Sequence, residues 1–218
     1  MTTRDRILEA AMQVFRRHGF RRSSIEQAAE AAGLTRQALY HHFSSKEALF
    51  RAAIERVHEA ALATGAEAAA RAEAAGHDLA DVLIGQITAR LKALVAALDG
   101  SPHVEELLSE HLAQARDLYQ DFAARHQAAL AATIARVRTK QKLELNPGMT
   151  PSGLARYVEM AVNGAKSAHP NMQPLDAFLR DLSLMVRTLV AGAITKTPKS
   201  ATLPRKRPAA RRKTGDRK

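Results

Sequence analysis

Residues 33–43, GLTRQALYHHF, bring an arginine, a glutamine, a tyrosine and two histidines into one short segment. Such side chains could bind a metal ion, relay protons or contact another molecule. Neighbouring helical positions point about 100° apart, so His41 and His42 cannot chelate one metal ion from the same face. A proton relay would need a carboxylate to orient the histidines, and Glu47 lies beyond a predicted helix break. The segment is therefore interpreted as a surface that contacts another molecule.

Helix signals surround this segment on both sides. The capping boxes SSIE and SIEQ predict a helix that ends at Gly33. Thr35 is a good N-cap for the next helix, whose Leu39 and Phe43 face the core. A further capping box, SSKE at 44–47, opens a longer helix. Two short helices joined by a tight turn form the helix-turn-helix pattern, in which the outer face of the second helix enters the major groove of DNA.

The outer face of this second helix carries side chains suited to DNA. Anchoring through Leu39 and Phe43 leaves four other residues pointing outward. Arginine can bind guanine through two hydrogen bonds, and glutamine can bind adenine in the same way. The residues predicted from this geometry to reach base edges and phosphates are Arg36, Gln37, Tyr40 and His41.

The stretch SIEQAAEAAGLTRQALYHHFSSKEALF resembles the DNA-binding signature of the TetR/AcrR family of bacterial helix-turn-helix transcription regulators. The resemblance covers about residues 4–55 and includes the motifs AAGLT, LYHHF and SKEAL. Many members of that family have a small residue where this chain has Gln37. A longer side chain there could contact a base directly, so no operator sequence can be transferred from the family.

The resemblance also implies roles for individual residues. Thr35 and Tyr40 are expected to contact phosphates and the groove, and His42 is expected to lie on the DNA-backbone side. Lys46 is expected to bind a phosphate at the start of its helix, where free backbone N–H groups favour an anion. The complete set of predicted DNA-binding residues is Ser24, Thr35, Arg36, Gln37, Tyr40, His41, His42 and Lys46.

The remainder of the chain also has helical periodicity, and no run alternates as a strand would. The fold class is therefore all-α, with about nine helices. Three parts are predicted: a helix-turn-helix DNA-binding domain at 1–55, a helical effector-binding and dimerisation domain at 56–195, and a disordered basic tail at 196–218. The tail holds ten basic residues and one acidic residue, so it supplies most of the net charge of +11. It could be a plain solvated tail or could attract DNA regardless of sequence.

The last two helices are the predicted dimerisation surface. A single helix-turn-helix contacts only half of a useful operator, so two copies are expected to bind a palindrome. The same apolar stripes could also face the chain's own core, and both can hold, because two helices cannot expose so many apolar residues; a self-paired four-helix bundle is the favoured arrangement. The predicted interface residues are Leu154, Val158, Ala161, Ala165, Phe178, Leu182, Met185, Val186 and Leu189.

An effector pocket is predicted among the helices between residues 79 and 143, with contributions from the next helix. Polar or soft residues interrupt the apolar faces there. The low aromatic content of 4% favours an aliphatic or amphipathic effector. The predicted pocket residues are His103, His111, Tyr119, Phe122, His126, Met160 and Asn163.

The predicted function is a dimeric, sequence-specific DNA-binding transcriptional regulator, a repressor that a small-molecule effector releases from its operator. The alternative is a constitutive or nucleoid-type DNA-binding protein with no effector, whose affinity comes mostly from the tail. The absence of cysteine excludes disulfides and thiolate metal sites, and no catalytic arrangement, cofactor or metal site stands out. The charged N-terminus and the lack of long apolar runs predict a cytoplasmic protein that associates with the nucleoid through DNA and not with a membrane.

Overall fold

The computed structural model describes residues 2–195, with all side chains except those of His111 and Leu112. Within these residues the chain forms nine α-helices, one short 3-10 helix and no β-strand. The helices are α1 (Thr3–His18), α2 (Ile25–Ala31), α3 (Arg36–His42), α4 (Lys46–Ala74), α5 (Leu79–Ala96), α6 (Val104–Gln114), α7 (Arg116–Gln141), α8 (Pro151–Ala168) and α9 (Leu175–Ala193). The predicted all-α architecture is confirmed for this part of the chain. The predicted disordered tail, 196–218, lies outside the described residues.

Side-chain caps fix where most of these helices begin. In each case a hydroxyl or carboxylate oxygen accepts a backbone N–H from the first turn, which stabilises a helix by about 0.5–2 kcal/mol. The capping residues are Thr2, Ser24, Thr35, Ser45, Asp78 and Thr150. The starts of α2, α3 and α4 are therefore determined by residues next to them in the sequence.

The first of two apolar cores is formed by α1 to α4. Phe15, Phe20 and Phe50 are buried there, with ring centroids 4.8 to 5.9 Å apart. Leu39 of α3 lies in the same core, and so does Leu107 of α6. Since α6 comes from the second half of the chain, its packing ties that half to the N-terminal helices.

The second core is formed by α5, α7, α8 and α9 with the C-terminal half of α4. Helix α4 is continuous across the predicted domain boundary between residues 55 and 56, which stays a prediction. Gly65 allows α5 to approach α4 closely, because a Cβ atom there would lie 2.9 Å from the carbonyl oxygen of Gln86. Helix α4 is thus the continuous connection between the two cores.

Candidate nucleic-acid interface

Helix α3 is held in place by contacts that leave its outer face free. The Ala38 N–H donates to Thr35 Oγ1 at 3.2 Å and caps the helix start. Gly33 has a φ of +67°, which lets the chain turn sharply between α2 and α3. Leu39 and Phe43 are buried below the helix. The cap, the turn and the two buried side chains together hold the second helix of the motif on the first core.

The side chains predicted to contact DNA lie together on this surface. Arg36, Gln37, Tyr40, His41 and His42 are all exposed, as is the capping residue Thr35. Ser24 lies at the start of α2, where its hydroxyl accepts the Gln27 N–H. The exposed set forms one polar face on α3 and its two ends. Their contacts with DNA remain predictions.

Arg36 has an intramolecular partner on this face. Its Nε lies 2.8 Å from Glu26 Oε1 of α2, and its guanidinium lies 5.4 Å from the ring centroid of Tyr40. A hydrogen bond with Tyr40 and the charge of Glu26 raise the pKa of Arg36, which therefore stays charged. Both partners are exposed, so the ion pair can open when a phosphate or guanine competes for the arginine.

Lys46 has a structural position that the sequence did not indicate. Its ammonium group donates to the carbonyl oxygens of Phe20, Arg21 and Ser23 at 3.0, 3.3 and 3.1 Å. It also lies 4.4 Å from the centroid of the Phe20 ring. All three N–H groups of the ammonium are thus used within the turn between α1 and α2. The phosphate contact expected of Lys46 stays a prediction.

Replacing Lys46 with methionine is expected to lower the free energy of unfolding by about 1–2 kcal/mol, because hydrogen bonds to a charged donor are worth about 1.5–3 kcal/mol and this group is partly exposed. Urea denaturation would measure the change. Lys92 is an exposed lysine of α5, and its replacement with methionine should change stability by less than about 0.5 kcal/mol. If Lys46→Met keeps full stability but loses DNA affinity, the phosphate contact is its main role.

Helix α6 and the loop before it contact the turn between α1 and α2. The Arg21 N–H donates to Glu106 Oε1 at 2.8 Å, and Arg21 Nε lies 3.0 Å from Glu110 Oε1. Ser101 Oγ donates to the carbonyl oxygen of Arg16 at 2.7 Å. We call the contacts of residues 99–110 with residues 16–22 the α6 clasp. It links the second half of the chain directly to the helices that carry α3.

His103, one of the predicted pocket residues, belongs to the α6 clasp. Its ring accepts a hydrogen bond from the Arg22 guanidinium at 3.3 Å and lies 3.9 Å from Glu106. A second link between the halves is made by Arg51 of α4, whose Nη1 lies 2.7 Å from Asp117 Oδ1 of α7. The hydrogen bond from Arg51 lowers the pKa of Asp117 to about 2. Asp117 is therefore charged throughout the neutral range.

A cluster of polar side chains is buried between α4, α5, α7 and α8. The His126 ring is 1% exposed, and its Nδ1 lies 2.8 Å from Glu159 Oε2. The His58 ring stacks on Phe122 with centroids 4.9 Å apart. The full set, which we call the buried polar cluster, is His58, Gln86, Arg90, His126 and Glu159.

The predicted effector residues divide between this cluster and other places. Phe122 and His126 lie in it, and Tyr119 faces Lys166, whose charge acts on both His126 and Glu159. Met160 and Asn163 lie instead on the exposed side of α8, whereas Glu159 of the same helix is buried. The side chain of His111 lies outside the described residues.

Sequence reasoning missed His58 of α4 and three further members of the cluster, Gln86, Arg90 and Glu159. Gln86 and Arg90 are four residues apart, so they share one face of α5 and interrupt its apolar pattern. Glu159 interrupts the inward stripe of α8 in the same way. A polar residue on the buried face of an otherwise apolar helix was the signal that could have found all three.

The electrostatics of the cluster follow from its burial. Burial lowers the pKa of His126 more than its hydrogen bond to Glu159 raises it, so the ring is neutral at pH 7. Burial would raise the pKa of Glu159, but the hydrogen bond from His126 and the charges of Arg90 and Lys166 lower it. A carboxylate can only accept, so the neutral ring donates from Nδ1 and Nε2 carries the free lone pair.

The predicted dimer interface is mostly internal. Seven of the nine residues are 0–6% exposed in the chain's own core: Leu154, Val158, Ala161, Ala165, Phe178, Leu182 and Val186. Their burial matches the alternative that the stripes face the core. Met185 and Leu189 keep exposed or partly exposed surface. The large apolar residues that do face outward on α8 and α9 are Tyr157, Met160, Leu184 and Met185.

Within residues 2–195, no group of three or more histidine, aspartate or glutamate side chains could hold a metal ion. None of the described helices is long and apolar enough to cross a membrane.

Comparison with known proteins identifies the N-terminal helices. Residues 7–53 match the family described as bacterial regulatory proteins, tetR family. The HTH-type transcriptional regulator UidR of Escherichia coli strain K12 is 44% identical over 61 residues, which are 28% of this chain and 31% of UidR. The chain thus aligns with less than a third of the length of the curated relatives it matches.

Solved structures resemble a larger part of the chain. The structure of SmeT, the repressor of the Stenotrophomonas maltophilia multidrug efflux pump SmeDEF, is 22% identical, with 90% of this chain and 93% of SmeT covered and a TM-score of 0.57. FadR of Thermus thermophilus, a TetR-family transcriptional repressor solved with lauroyl-CoA, is 22% identical, with 95% and 98% covered and a TM-score of 0.58. At this identity the likeness shows the fold.

The fold and the exposed face of α3 together define a helical protein with an N-terminal helix-turn-helix and a C-terminal helical domain. Residues 7–53 match the tetR family, and over this segment the resemblance inferred from the sequence is confirmed. The named relatives are transcriptional regulators and not enzymes.

Proposed function

We propose that the chain is a dimeric, sequence-specific DNA-binding regulator that represses transcription by occupying a palindromic operator, and that a small molecule releases it. The observation that carries this proposal is the exposed polar face of α3, a helix that is capped at its start and anchored to the core by buried side chains. Arg36 and Gln37 have the side chains that bind guanine and adenine edges, while Thr35, Tyr40 and His42 are exposed polar side chains that we assign to the phosphates on either side of the groove.

The proposed organisation assigns DNA binding to residues 1–55 and effector binding and dimerisation to residues 56–195, with a basic tail at 196–218. The exposed apolar residues of α8 and α9 supply a surface on which a second copy can pack. We place the protein in the cytoplasm, associated with the nucleoid through DNA. The alternative, a sequence-blind DNA-binding protein without an effector, would depend on the charge of the tail.

Release by an effector has support from relatives and from the chain itself. FadR was solved with lauroyl-CoA, and SmeT, at a TM-score of 0.57, was solved with triclosan. In this chain, the buried polar cluster and the α6 clasp lie on the same helical body, and α4 runs between the cores. A ligand that shifts α4 or α6 would move the two α3 helices of a dimer, so that they no longer fit successive major grooves. A coupling free energy of about 1–3 kcal/mol between effector binding and DNA binding is sufficient for release.

Replacing Gln37 with alanine tests the proposed DNA contact. Since a bidentate contact to a base is worth about 1–3 kcal/mol, affinity for the DNA upstream of the protein's own gene should fall about 5- to 150-fold. Affinity for a scrambled duplex should be unchanged. Fluorescence anisotropy across about 50–200 mM salt would measure both.

Two control proteins make this test specific. Gln120 is an exposed glutamine of α7, and its replacement with alanine should leave DNA affinity unchanged. A protein ending at residue 195 should keep its preference for the native duplex while its salt dependence becomes weaker. The proposed repressor would be contradicted if the wild-type chain bound native and scrambled DNA equally well and lost this affinity when the tail was removed. That result would support the sequence-blind alternative.

A further inference from the structure

Arg90 is a buried cation whose hydrogen-bonding capacity is only partly used. Its side chain lies on α5, and the residue is 4% exposed. Its Nε and Nη1 have no hydrogen-bond partner within residues 2–195. Burial lowers the pKa of Arg90 against the attraction of Glu159 and Tyr119, but an arginine keeps its charge in proteins. Buried N–H groups without acceptors are costly, and those of a charged group more so.

Free acceptors lie in the same cluster. Gln86 precedes Arg90 by one helical turn, and its Oε1 lacks a donor among the described side chains and backbone. His126 gives its Nδ1–H to Glu159, and its Nε2 has no partner in the part of the chain that the structure describes. The cluster therefore offers at least two free donors on a cation and two free acceptors nearby in the fold.

The charges in and beside the cluster leave one positive charge without a partner. Arg90 and Glu159 carry opposite charges and the His126 ring is neutral, while half-buried Lys166, which lies outside the cluster but whose charge acts on His126 and Glu159, adds one positive charge. A ligand with a single negative charge would compensate this excess, and a carboxylate oxygen is a strong acceptor for a guanidinium N–H. A phosphate monoester would introduce about −1.5 to −2 charges, more than the cluster balances.

Apolar residues surround these polar atoms on each helix. Phe122 and Leu130 lie one turn before and one turn after His126 on the buried face of α7. Ala155 and Val162 flank Glu159 on α8, and Ala61 is buried on α4, one turn before the glycine that packs against Gln86 and Arg90 of α5. Such surroundings suit the aliphatic body of a ligand rather than a second charged group.

We propose that the buried polar cluster is the effector site and that the effector is an organic monocarboxylate with an apolar body, whose carboxylate accepts a charge-assisted hydrogen bond from one of the two free Arg90 donors, Nε or Nη1. This rests on the proposed function as an effector-released regulator. A hydroxyl or amide N–H on the ligand would donate to Gln86 Oε1 or His126 Nε2. Binding joins α5, α7 and α8 beside α4, the helix that continues into the DNA-binding domain.

The free donors also distinguish this role from a structural one. An arginine that stabilises the fold through paired hydrogen bonds would destabilise the protein when removed. An arginine kept for a ligand leaves unmet donors in the free protein, but its charge also acts on Glu159, so removing Arg90 alone would leave that buried carboxylate without compensation. In a chain that carries Glu159→Gln, Arg90→Met should therefore leave the melting temperature without ligand equal to or above that of Glu159→Gln alone, together with loss of the carboxylate response.

The experiment uses the full chain and a panel of carboxylate probes: hexanoate, octanoate, decanoate, benzoate and salicylate. Octanol and octylamine match octanoate in chain length without its charge. Thermal denaturation and anisotropy with the upstream duplex are measured for wild type, Arg90→Met and Arg90→Lys, and for Glu159→Gln with and without Arg90→Met. At least one carboxylate should raise the wild-type melting temperature and weaken DNA binding, whereas the alcohol and amine should not. Its affinity should fall about 10- to 100-fold in Arg90→Met and less in Arg90→Lys.

Three outcomes would overturn the proposed site. These are a wild-type melting temperature unaffected by every carboxylate, an equal response in Arg90→Met, and a clear loss of stability when Arg90→Met is added to the Glu159→Gln chain without ligand. The thermal measurement does not depend on DNA. If the wild-type chain lacks sequence preference but a carboxylate still stabilises it through Arg90, the regulator function fails while the site stands. If the wild-type chain prefers the native duplex but responds to no carboxylate, the proposed site fails while the regulator function stands.

Discussion

Replacing Gly19 with alanine should lower the free energy of unfolding by about 2–4 kcal/mol. Gly19 ends α1 with φ +77° and ψ 164°, a backbone region that is essentially restricted to glycine. A Cβ atom there would also lie 2.5 Å from Glu106 Oε2. The substitution therefore strains the turn and displaces the carboxylate that accepts the Arg21 N–H. Urea denaturation of the full chain would measure the loss.

Gly33 provides a matched control for the backbone term. It also has a positive φ, +67°, but a Cβ atom there would have no neighbour within 4 Å. Gly33→Ala should cost about 1–2 kcal/mol, from strain alone. In a chain that already carries Glu106→Ala, the cost of Gly19→Ala should shrink by about 1 kcal/mol or more. If Gly19→Ala lowers the free energy of unfolding equally in the wild-type chain and in Glu106→Ala, the α6 clasp does not oppose the added methyl group.

The sequence predicted best what neighbouring residues decide. The starts of α2 and α3 were predicted from Ser24 and Thr35, and both residues cap their helices through hydrogen bonds three residues along. Asp78 caps α5 in the same way. Such contacts need no tertiary structure, so the helix-turn-helix and the outward direction of Gln37 follow from local signals and from the buried position of Leu39.

What the sequence could not decide depends on contacts between distant segments. Lys46 has a helix-start position that suits a phosphate, yet its ammonium group binds carbonyl groups more than twenty residues earlier. Glu106 and Leu107 have no sequence signal that joins them to α1. Arg90 could be taken for a solvent-facing arginine at a helix interior until α4, α7 and α8 are seen to cover it. Burial of a charge is decided only by packing.

The stripes of α8 and α9 show the same limit for apolar residues. Both helices carry more apolar residues than one face can hold, and periodicity alone does not say which face meets the chain's own core. The core contains Leu154, Phe178 and Leu182, whereas Leu184 and Met160 are exposed. The surface available to a second copy is therefore narrower than the predicted interface and shifted around both helices.

Replacing Leu184 with glutamate should dissociate the proposed dimer. Leu184 is 67% exposed in the single chain, so glutamate is tolerated by the monomer. In a symmetric dimer the substitution occurs twice and places a charge in an apolar contact, and at about 2 kcal/mol per copy the dimer should weaken about a thousandfold. Analytical ultracentrifugation would measure the dissociation constant, and circular dichroism would show that the helices remain.

Loss of the dimer should also remove most of the affinity for a palindromic operator, because each monomer then binds only one half-site. Ala124→Glu adds the same charge at an exposed position of α7 and should leave both dimer and operator affinity unchanged. A Leu184→Glu protein that stays dimeric would move the interface away from the outer face of α8 and α9. A monomer that keeps full operator affinity would instead contradict the palindrome, since the second α3 helix would then contribute nothing to binding.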